Sequence, residues 1–326
     1  ALETTYMGLA LGSPIIVGSS TLTIEPERVR ELEAAGAGAV VLKSMFEEQV
    51  RADVSDAYDS LDASTHPEAR GYVRADLPMQ LGPEQYLERI EKIKEAVSIP
   101  VIASINCVTP TQWTSFAGKI ERAGADALEL NVYDIPDDPD TSAAVIEKRH
   151  IDLLDAVKKV LSIPVAVKIG PQYSSLIDFA RKLSRHGANA IVMFNRFFQP
   201  DIDIETVTLK SSIGLSRPEE ILLPLRWTAI VREHVSCDLS LSTGVHDAEA
   251  AVKAILAGAN TVQVCSAVYR EGPGVVGKII DGMHDWMKRK GYKSLDDFRG
   301  LMREKDLTDH RGFERAQYVK VFVGLE

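Results

Sequence analysis

Short runs of apolar residues, entered through one of two recurring turns, set the rhythm of this chain. Ser13-Pro14 leads into IIVGSS, Ser98-Ile99-Pro100 into VIASIN and Ser162-Ile163-Pro164 into VAVKI. Proline cannot donate a ladder hydrogen bond, so it belongs at the first residue of a strand. The second entrance is a Gly-Ala turn: Gly36-Ala37-Gly38 before AVVLK, Gly124-Ala125-Asp126 before ALELN, Gly187-Ala188-Asn189 before AIVMFN and Gly258-Ala259-Asn260 before TVQVC. Ser236-Cys237-Asp238 stands in for the proline before LSLST. The alternation is an internal repeat of a doubled βα unit. It predicts eight strands, near residues 14–19, 39–44, 101–105, 127–131, 165–169, 190–194, 239–243 and 261–265.

Between the strands the apolar spacing changes to that of a helix. The segment from about Glu25 to Ala35, the set Leu87, Ile90, Ile93 and Val97, and the set Val276, Ile279, Ile280, Met283 and Met287 all follow it. Asp247 is placed to cap a helix carrying Val252, Ile255 and Leu256. Strands so continuous in apolar residues are covered on both faces, as in a parallel sheet. Eight of them alternating with helices predict an α/β fold, a closed (β/α)8 TIM barrel spanning 1–326 as one domain. An open doubly wound sheet is the alternative, but no GxGxxG follows the first strand.

Three segments interrupt the repeat. Residues 45–83 make a long loop after the second strand, with the acidic and aromatic run DVSDAYDSLD. Residues 196–217, after the sixth strand, hold the alternating DIDIETVTL, which predicts a small hairpin insertion. Residues 301–326 form a C-terminal extension ending in the strand-like YVKVFVGL. Both internal loops leave the barrel at the end where substrates bind.

Composition narrows the function. A net charge of -10, with no cluster of Lys and Arg, argues against a nucleic-acid binder. Cys107, Cys237 and Cys265 are far apart, with none of the spacings of a structural zinc, a cluster or a disulfide framework, so no metal site is expected. No apolar run approaches the roughly 20 residues of a membrane span, and the first residues lack a signal-peptide pattern. The expectation is a cytoplasmic protein acting on a small molecule.

Barrel chemistry sits at the carboxyl ends of the strands. The polar residues there are Ser19, Lys43, Ser44, Asn106, Asn131, Lys168, Asn195, Thr243 and Ser266. Lys43 and Lys168 each end an apolar strand where a bare ammonium is costly to bury without an anionic partner. A ligand could supply that partner, as could Glu129. Thr243-Gly244 and Ser266-Ala267 close two adjacent strands with small residues and open amides, a cup for a phosphate or simply two tight turns. Three chemistries could use this rim: a Schiff-base aldolase on one lysine, a metal-dependent enzyme, or a flavin enzyme. The histidines fall mostly on helices and loops, which disfavours metal. A flavin fits best, because its phosphate takes the two amide turns and a lysine stabilises negative charge at the reduced ring.

The stretches SPIIVGSS, AGAVVLKS, ELN at 129–131, PVAVK at 164–168, STGVHDAEAAVKAILAGANTVQVCSAVYREGPGVV and MKRKGYKSLDDFRG resemble the soluble, class 1 dihydroorotate dehydrogenases over nearly the whole chain. The resemblance implies a barrel that holds FMN through Gly18, Ser19, Lys43, Ser44, Asn131, Lys168, Asn195, Thr243, Gly244, Ser266 and Ala267. It implies hydride transfer between that flavin and dihydroorotate or a related small planar substrate, with Lys43 and a base among the catalytic groups. It also implies a homodimer, with a separate electron-transfer protein as a further partner; the alternative is an FMN-holding, non-catalytic subunit of a larger complex. The family's base position falls on Asp134, with Tyr133 and Cys107 as further candidates. The family's Asn-Ser-Met-Gly-Leu-Pro-Asn motif appears here as YVRADLPM, keeping only Leu77-Pro78, and Asn195 is followed by Arg196 rather than Ser or Thr. Asn131, Asn195 and Arg196 are the expected substrate contacts, Arg196 as the anchor for a substrate anion.

Overall fold

Each predicted strand entrance becomes a polar lock. In the computed structural model, which describes residues 2–47, 82–106, 110–132, 135–196, 199–210, 214–303 and 323, the strands are β1 (Ile15–Val17), β2 (Ala39–Val41), β3 (Val101–Asn106), β4 (Ala127–Asn131), β5 (Val165–Ile169), β6 (Ala190–Met193), β7 (Asp238–Ser242) and β8 (Thr261–Val264). All pair in parallel in chain order, and β8 closes onto β1, giving the expected (β/α)8 barrel. Three of the four Gly-Ala turns end in a side chain that accepts from an amide at the start of the preceding strand. Asp126 Oδ2 takes Val101 N at 2.7 Å, Asn189 Oδ1 takes Val165 N at 2.9 Å and Asn260 Oδ1 takes Leu239 N at 3.0 Å. The fourth turn has Gly38 at that position, because a Cβ there would lie 2.0 Å from Ser13 O. The glycines opening the turns, Gly36, Gly124, Gly187 and Gly258, all have positive φ, as a helix C-terminus requires.

The proline entrances are held from the preceding unit. Glu33 Oε1 accepts from Ser98 N at 2.8 Å and Ile99 N at 3.2 Å. Glu121 Oε1 accepts from Ser162 N at 3.0 Å and Ile163 N at 3.1 Å. At β7 the same place is filled by a serine, with Ser184 Oγ accepting from Ser236 N at 3.3 Å.

The helices covering the barrel are α1 (Pro26–Ala34), α2 (Pro83–Ala96), α3 (Pro110–Arg122), α4 (Ala143–Lys158), α5 (Leu176–Arg185), α6 (Leu222–Val231), α7 (Ala248–Leu256) and α8 (Val275–Lys290). Asp247 caps α7 as expected, its Oδ1 accepting from Ala250 N at 2.8 Å. Ser266-Ala267, read as a turn, instead begin a short helix, Ser266–Glu271. The DIDIETVTL segment pairs Asp201–Asp203 with Thr208–Lys210 as an antiparallel hairpin. Most of the loop after β2 and most of the C-terminal extension lie outside the described residues.

Two hydrophobic bodies result. The larger lies between strands and helices; the smaller fills the amino-terminal end of the barrel. There Ala39, Ala127, Ala166 and Ala190 leave room for Tyr6, Met7 and Leu11 from the hairpin Thr4–Tyr6/Leu9–Leu11. Small inward residues opposite one large plug keep this end packed at interior density. Burial, followed by the Glu129 charge, pushes the Tyr6 phenol well above its usual range, so it stays neutral. That plug closes the barrel interior at this end, while the polar strand-end residues gather around a cavity at the other.

Candidate active site

Above the plug, the inward-facing positions turn polar. Glu129, Lys168 and Gln263 project from β4, β5 and β8 and are all buried. Gln263 Nε2 donates to Glu129 Oε2 at 2.7 Å, and Lys168 Nζ donates to Gln263 Oε1 at 3.0 Å. The ammonium is 3.7 Å from Glu129 Oε1. The carboxylate answer to the buried Lys168 is therefore present, and the same lysine also reaches a ligand-sized space.

That space is a cavity of about 510 Å³ at the carboxyl ends of the strands. Gly18, Ser19, Lys43, Ser44, Asn131, Lys168, Asn195, Thr243, Gly244 and Ser266 all line it; Ala267 is buried beside it without forming its wall. At one side Ser44 N donates to Ser19 Oγ at 3.0 Å, and the Ser44 and Ser104 hydroxyls are 2.6 Å apart. Tyr86 fixes this side from behind, donating to Ser104 O at 3.0 Å and accepting from Ser104 N at 2.9 Å. Lys43 is buried at the end of β2, and Asn195 Nδ2 donates to Asn131 Oδ1 at 2.7 Å. That bond leaves the Asn131 amide protons and the Asn195 carbonyl oxygen for a ligand. Beside Asn131 in register stands Asn106, whose buried Nδ2 has no hydrogen-bond partner among the described residues.

The opposite side is the cup. Thr243 and Gly244 have φ of 84° and 80°. A β-branched residue at positive φ is an outlier that the surroundings must enforce, and Thr243 Oγ1 is held by Phe194 O at 3.2 Å. A Cβ on Gly244 would stand 2.2 Å from Ile221 N, so only glycine lets the backbone lie this close. Ser266 Oγ accepts from Ser216 N at 2.9 Å, which leaves its own proton to be donated into the cavity. Ser216 Oγ is 3.0 Å from His246 Nε2, and burial, followed by Arg270, lowers the His246 pKa, so the ring is neutral at pH 7. Burial raises the Cys265 thiol pKa, so this cavity-lining cysteine is no ready nucleophile.

Arg196 also lines the cavity, but its guanidinium is engaged. Nε and Nη2 bond Glu220 at 2.8 and 3.3 Å, and Nη1 bonds Gly214 O. Its charge is already compensated, which a substrate anion would have to displace. Asp134, Tyr133, Cys107 and Leu77-Pro78 lie outside the described residues. Gln263, Ser216 and Ser242 were not singled out by the sequence reading; only the polar break in TVQV hinted at the first.

A family model described as dihydroorotate dehydrogenase matches residues 1–287 of the 326. The chain belongs to the dihydroorotate dehydrogenase family. Similar dihydroorotate dehydrogenases include one from Methanosarcina mazei, described as "Dihydroorotate dehydrogenase B (NAD(+)), catalytic subunit", 32% identical over 92% of this chain and 95% of that protein. One from Aeropyrum pernix, "Putative dihydroorotate dehydrogenase A (fumarate)", is 31% identical over 92% and 96%. A third, from Methanothermobacter thermautotrophicus, carries the same description as the first and is 26% identical over 92% and 98%. No helix among the described residues of this dihydroorotate dehydrogenase family member is long and apolar enough to cross a membrane.

Proposed function

We propose that this chain is an FMN-dependent oxidoreductase of the dihydroorotate dehydrogenase type, acting on the CH–CH bond of dihydroorotate or a closely related small planar ring. The observation that carries the reading is the joining of two features in one cavity. One is a buried ammonium, Lys168, in its wall; the other is a turn at Gly244 stripped of any side chain. A cavity of this size suits a small cofactor and substrate. The donor set suits FMN: the Thr243 and Gly244 amides and the Ser266 hydroxyl would hold the phosphate, while Gly18, Ser19 and Ser44 bound the rest. FMN when bound supplies the two-electron acceptor that amino-acid side chains lack.

The chain's own residues do the remaining work. Lys43 and Lys168 hold positive charge where negative charge develops. Asn131 and Asn195 present one amide donor and one carbonyl acceptor to orient a ring bearing both. Taking two hydrogens from adjacent carbons leaves one as a proton, and a base must receive it. Asp134, three residues beyond Asn131, is that base in this reading; a carboxylate of ordinary pKa, about 3.9, is a weak proton acceptor, and burial would strengthen it. Phe46, Leu215 and Val245 in the cavity wall limit water inside the cavity.

The enzyme is read as a cytoplasmic homodimer. The words "catalytic subunit" in the descriptions of two relatives favour a second protein that carries the electrons away. The test is anaerobic. Purified protein should show a bound flavin spectrum that bleaches on adding dihydroorotate. Bound flavin that dihydroorotate does not bleach would overturn the substrate, and protein that neither contains nor takes up FMN would overturn the cofactor.

A further inference from the structure

The buried chain Glu129–Gln263–Lys168 reaches from the middle of the barrel to the cavity, and only its last member touches that space with a charge. Gln263 can face one way only. Its Nε2 donates to Glu129 Oε2 at 2.7 Å and its Oε1 accepts from Lys168 Nζ at 3.0 Å. Turning the amide over would set donor against ammonium and acceptor against carboxylate. Gly18 leaves room for the Gln263 side chain, since a Cβ there would press to 3.3 Å from its Oε1. Glu129 is 1% exposed, and its Oε1 has no hydrogen-bond partner among the described residues while lying 3.7 Å from the ammonium, beyond hydrogen-bond reach. A hydrogen bond between the two would require Lys168 to move closer to Glu129, down into the barrel. The bridging amide instead keeps the ammonium one bond away, at the cavity floor.

We infer that Glu129 and Gln263 are positioning residues that act through Lys168: Gln263 holds the ammonium up at the cavity, and Glu129 sets how much of its positive charge a bound flavin feels. This rests on the FMN reading above. A structural ion pair would need only the two charges, and direct contact would serve it better. Here the charges stand 3.7 Å apart with an amide bonded to both, and one carboxylate oxygen is left without a hydrogen bond. The two residues thus have opposite effects on the cavity. Removing the Glu129 charge exposes more of the ammonium. Removing the Gln263 bridge lets the ammonium fall toward Glu129 and withdraws it.

The experiment measures the midpoint potential of the bound flavin, by equilibration with reference dyes, together with FMN affinity in the wild type, Glu129→Gln and Gln263→Met. Glu129→Gln is expected to favour the two-electron-reduced state about tenfold, a rise of about 30 mV for a two-electron couple. Gln263→Met is expected to disfavour it about tenfold, a fall of similar size. General loosening of the barrel would move both variants the same way. Shifts of like sign, or both within twofold of wild type, overturn the inference while leaving the FMN reading intact. If Glu129→Gln does not fold, Gln263→Met decides alone: a tenfold fall supports the inference and no change overturns it. Wild-type protein that binds no flavin overturns both readings together.

Discussion

Replacing Gly244 with alanine isolates the close approach on which the cup depends. Two costs add. At φ of 80° an L side chain is strained by about 1–2 kcal/mol. The new methyl would also stand 2.2, 2.7 and 2.9 Å from Ile221 N, Ile221 Cα and Glu220 C. All three are backbone atoms, so no rotamer change relieves the clash, and such overpacking adds about 1–3 kcal/mol or more. The sum, about 2–5 kcal/mol, corresponds to a fall in Tm of about 3–7 °C for a domain of this size. Gly291→Ala is the matched control, because Gly291 has φ of 79° with nothing within 4 Å of a Cβ. It should lose only the strain of about 1–2 kcal/mol. Calorimetry of wild type and both variants reads the difference directly, and a flavin titration should show the Gly244 variant binding more weakly. Equal Tm losses in the two variants would refute the close-packing argument.

Asn260→Ala should cost about 1–3 kcal/mol in denaturant unfolding, because Leu239 N loses its acceptor at a buried strand start. Glu121 and Glu33 both titrate below the usual carboxylate range. At Glu121 the Ser162 hydroxyl is the largest influence; at Glu33 burial, the largest single influence, pushes upward but is outweighed by the Ser98 hydroxyl and the Ser98 and Ile99 amides. Their depressed folded values make both residues stabilising above their unfolded pKa of about 4.3. That contribution is lost as pH falls through the folded values, so a Glu33→Gln/Glu121→Gln variant should show a flatter stability profile below about pH 4.5 than wild type. Arg196→Gln breaks a pair whose side chains are 39% and 34% exposed, so it should cost at most about 1 kcal/mol. It should leave dihydroorotate-driven bleaching within a few-fold of wild type; a large loss would mean that Arg196 leaves Glu220 for the substrate. Asp134→Asn should slow that bleaching by about 10²–10⁴-fold with flavin content unchanged, the usual share of a general base.

The barrel was readable because its signals are local. Pro14, Pro100 and Pro164 and the four Gly-Ala turns act within a few residues, and the strands fall where those signals put them. The cavity wall was partly readable for the same reason: a polar residue closing an apolar run is visible without knowing its neighbours, as at Lys43, Asn131 and Lys168. What escaped depends on distance along the chain. Gln263 finds Glu129 across 134 positions, and nothing in TVQV tells which inward residue it will meet. Arg196 offered a free cation to the eye, but the hairpin insertion folds so that Glu220 returns to neutralise it. Ser266 was expected to end in a turn, yet it starts a helical turn whose hydroxyl is oriented by Ser216, a residue fifty positions earlier.

The locks at Asp126, Asn189 and Asn260, and the carboxylates and serine that hold the next entrance, all lie on the floor of the barrel. Architecture and chemistry are thereby assigned to opposite poles. The recurring sequence signature marks the pole that carries the architecture, while the loops that follow the strands, such as the one that opens with Arg196 after β6, belong to the other. A lineage built this way is free to exchange its ligand preferences by drift in those loops without disturbing assembly. Close kin should therefore agree in their floor residues while differing in what they accept above.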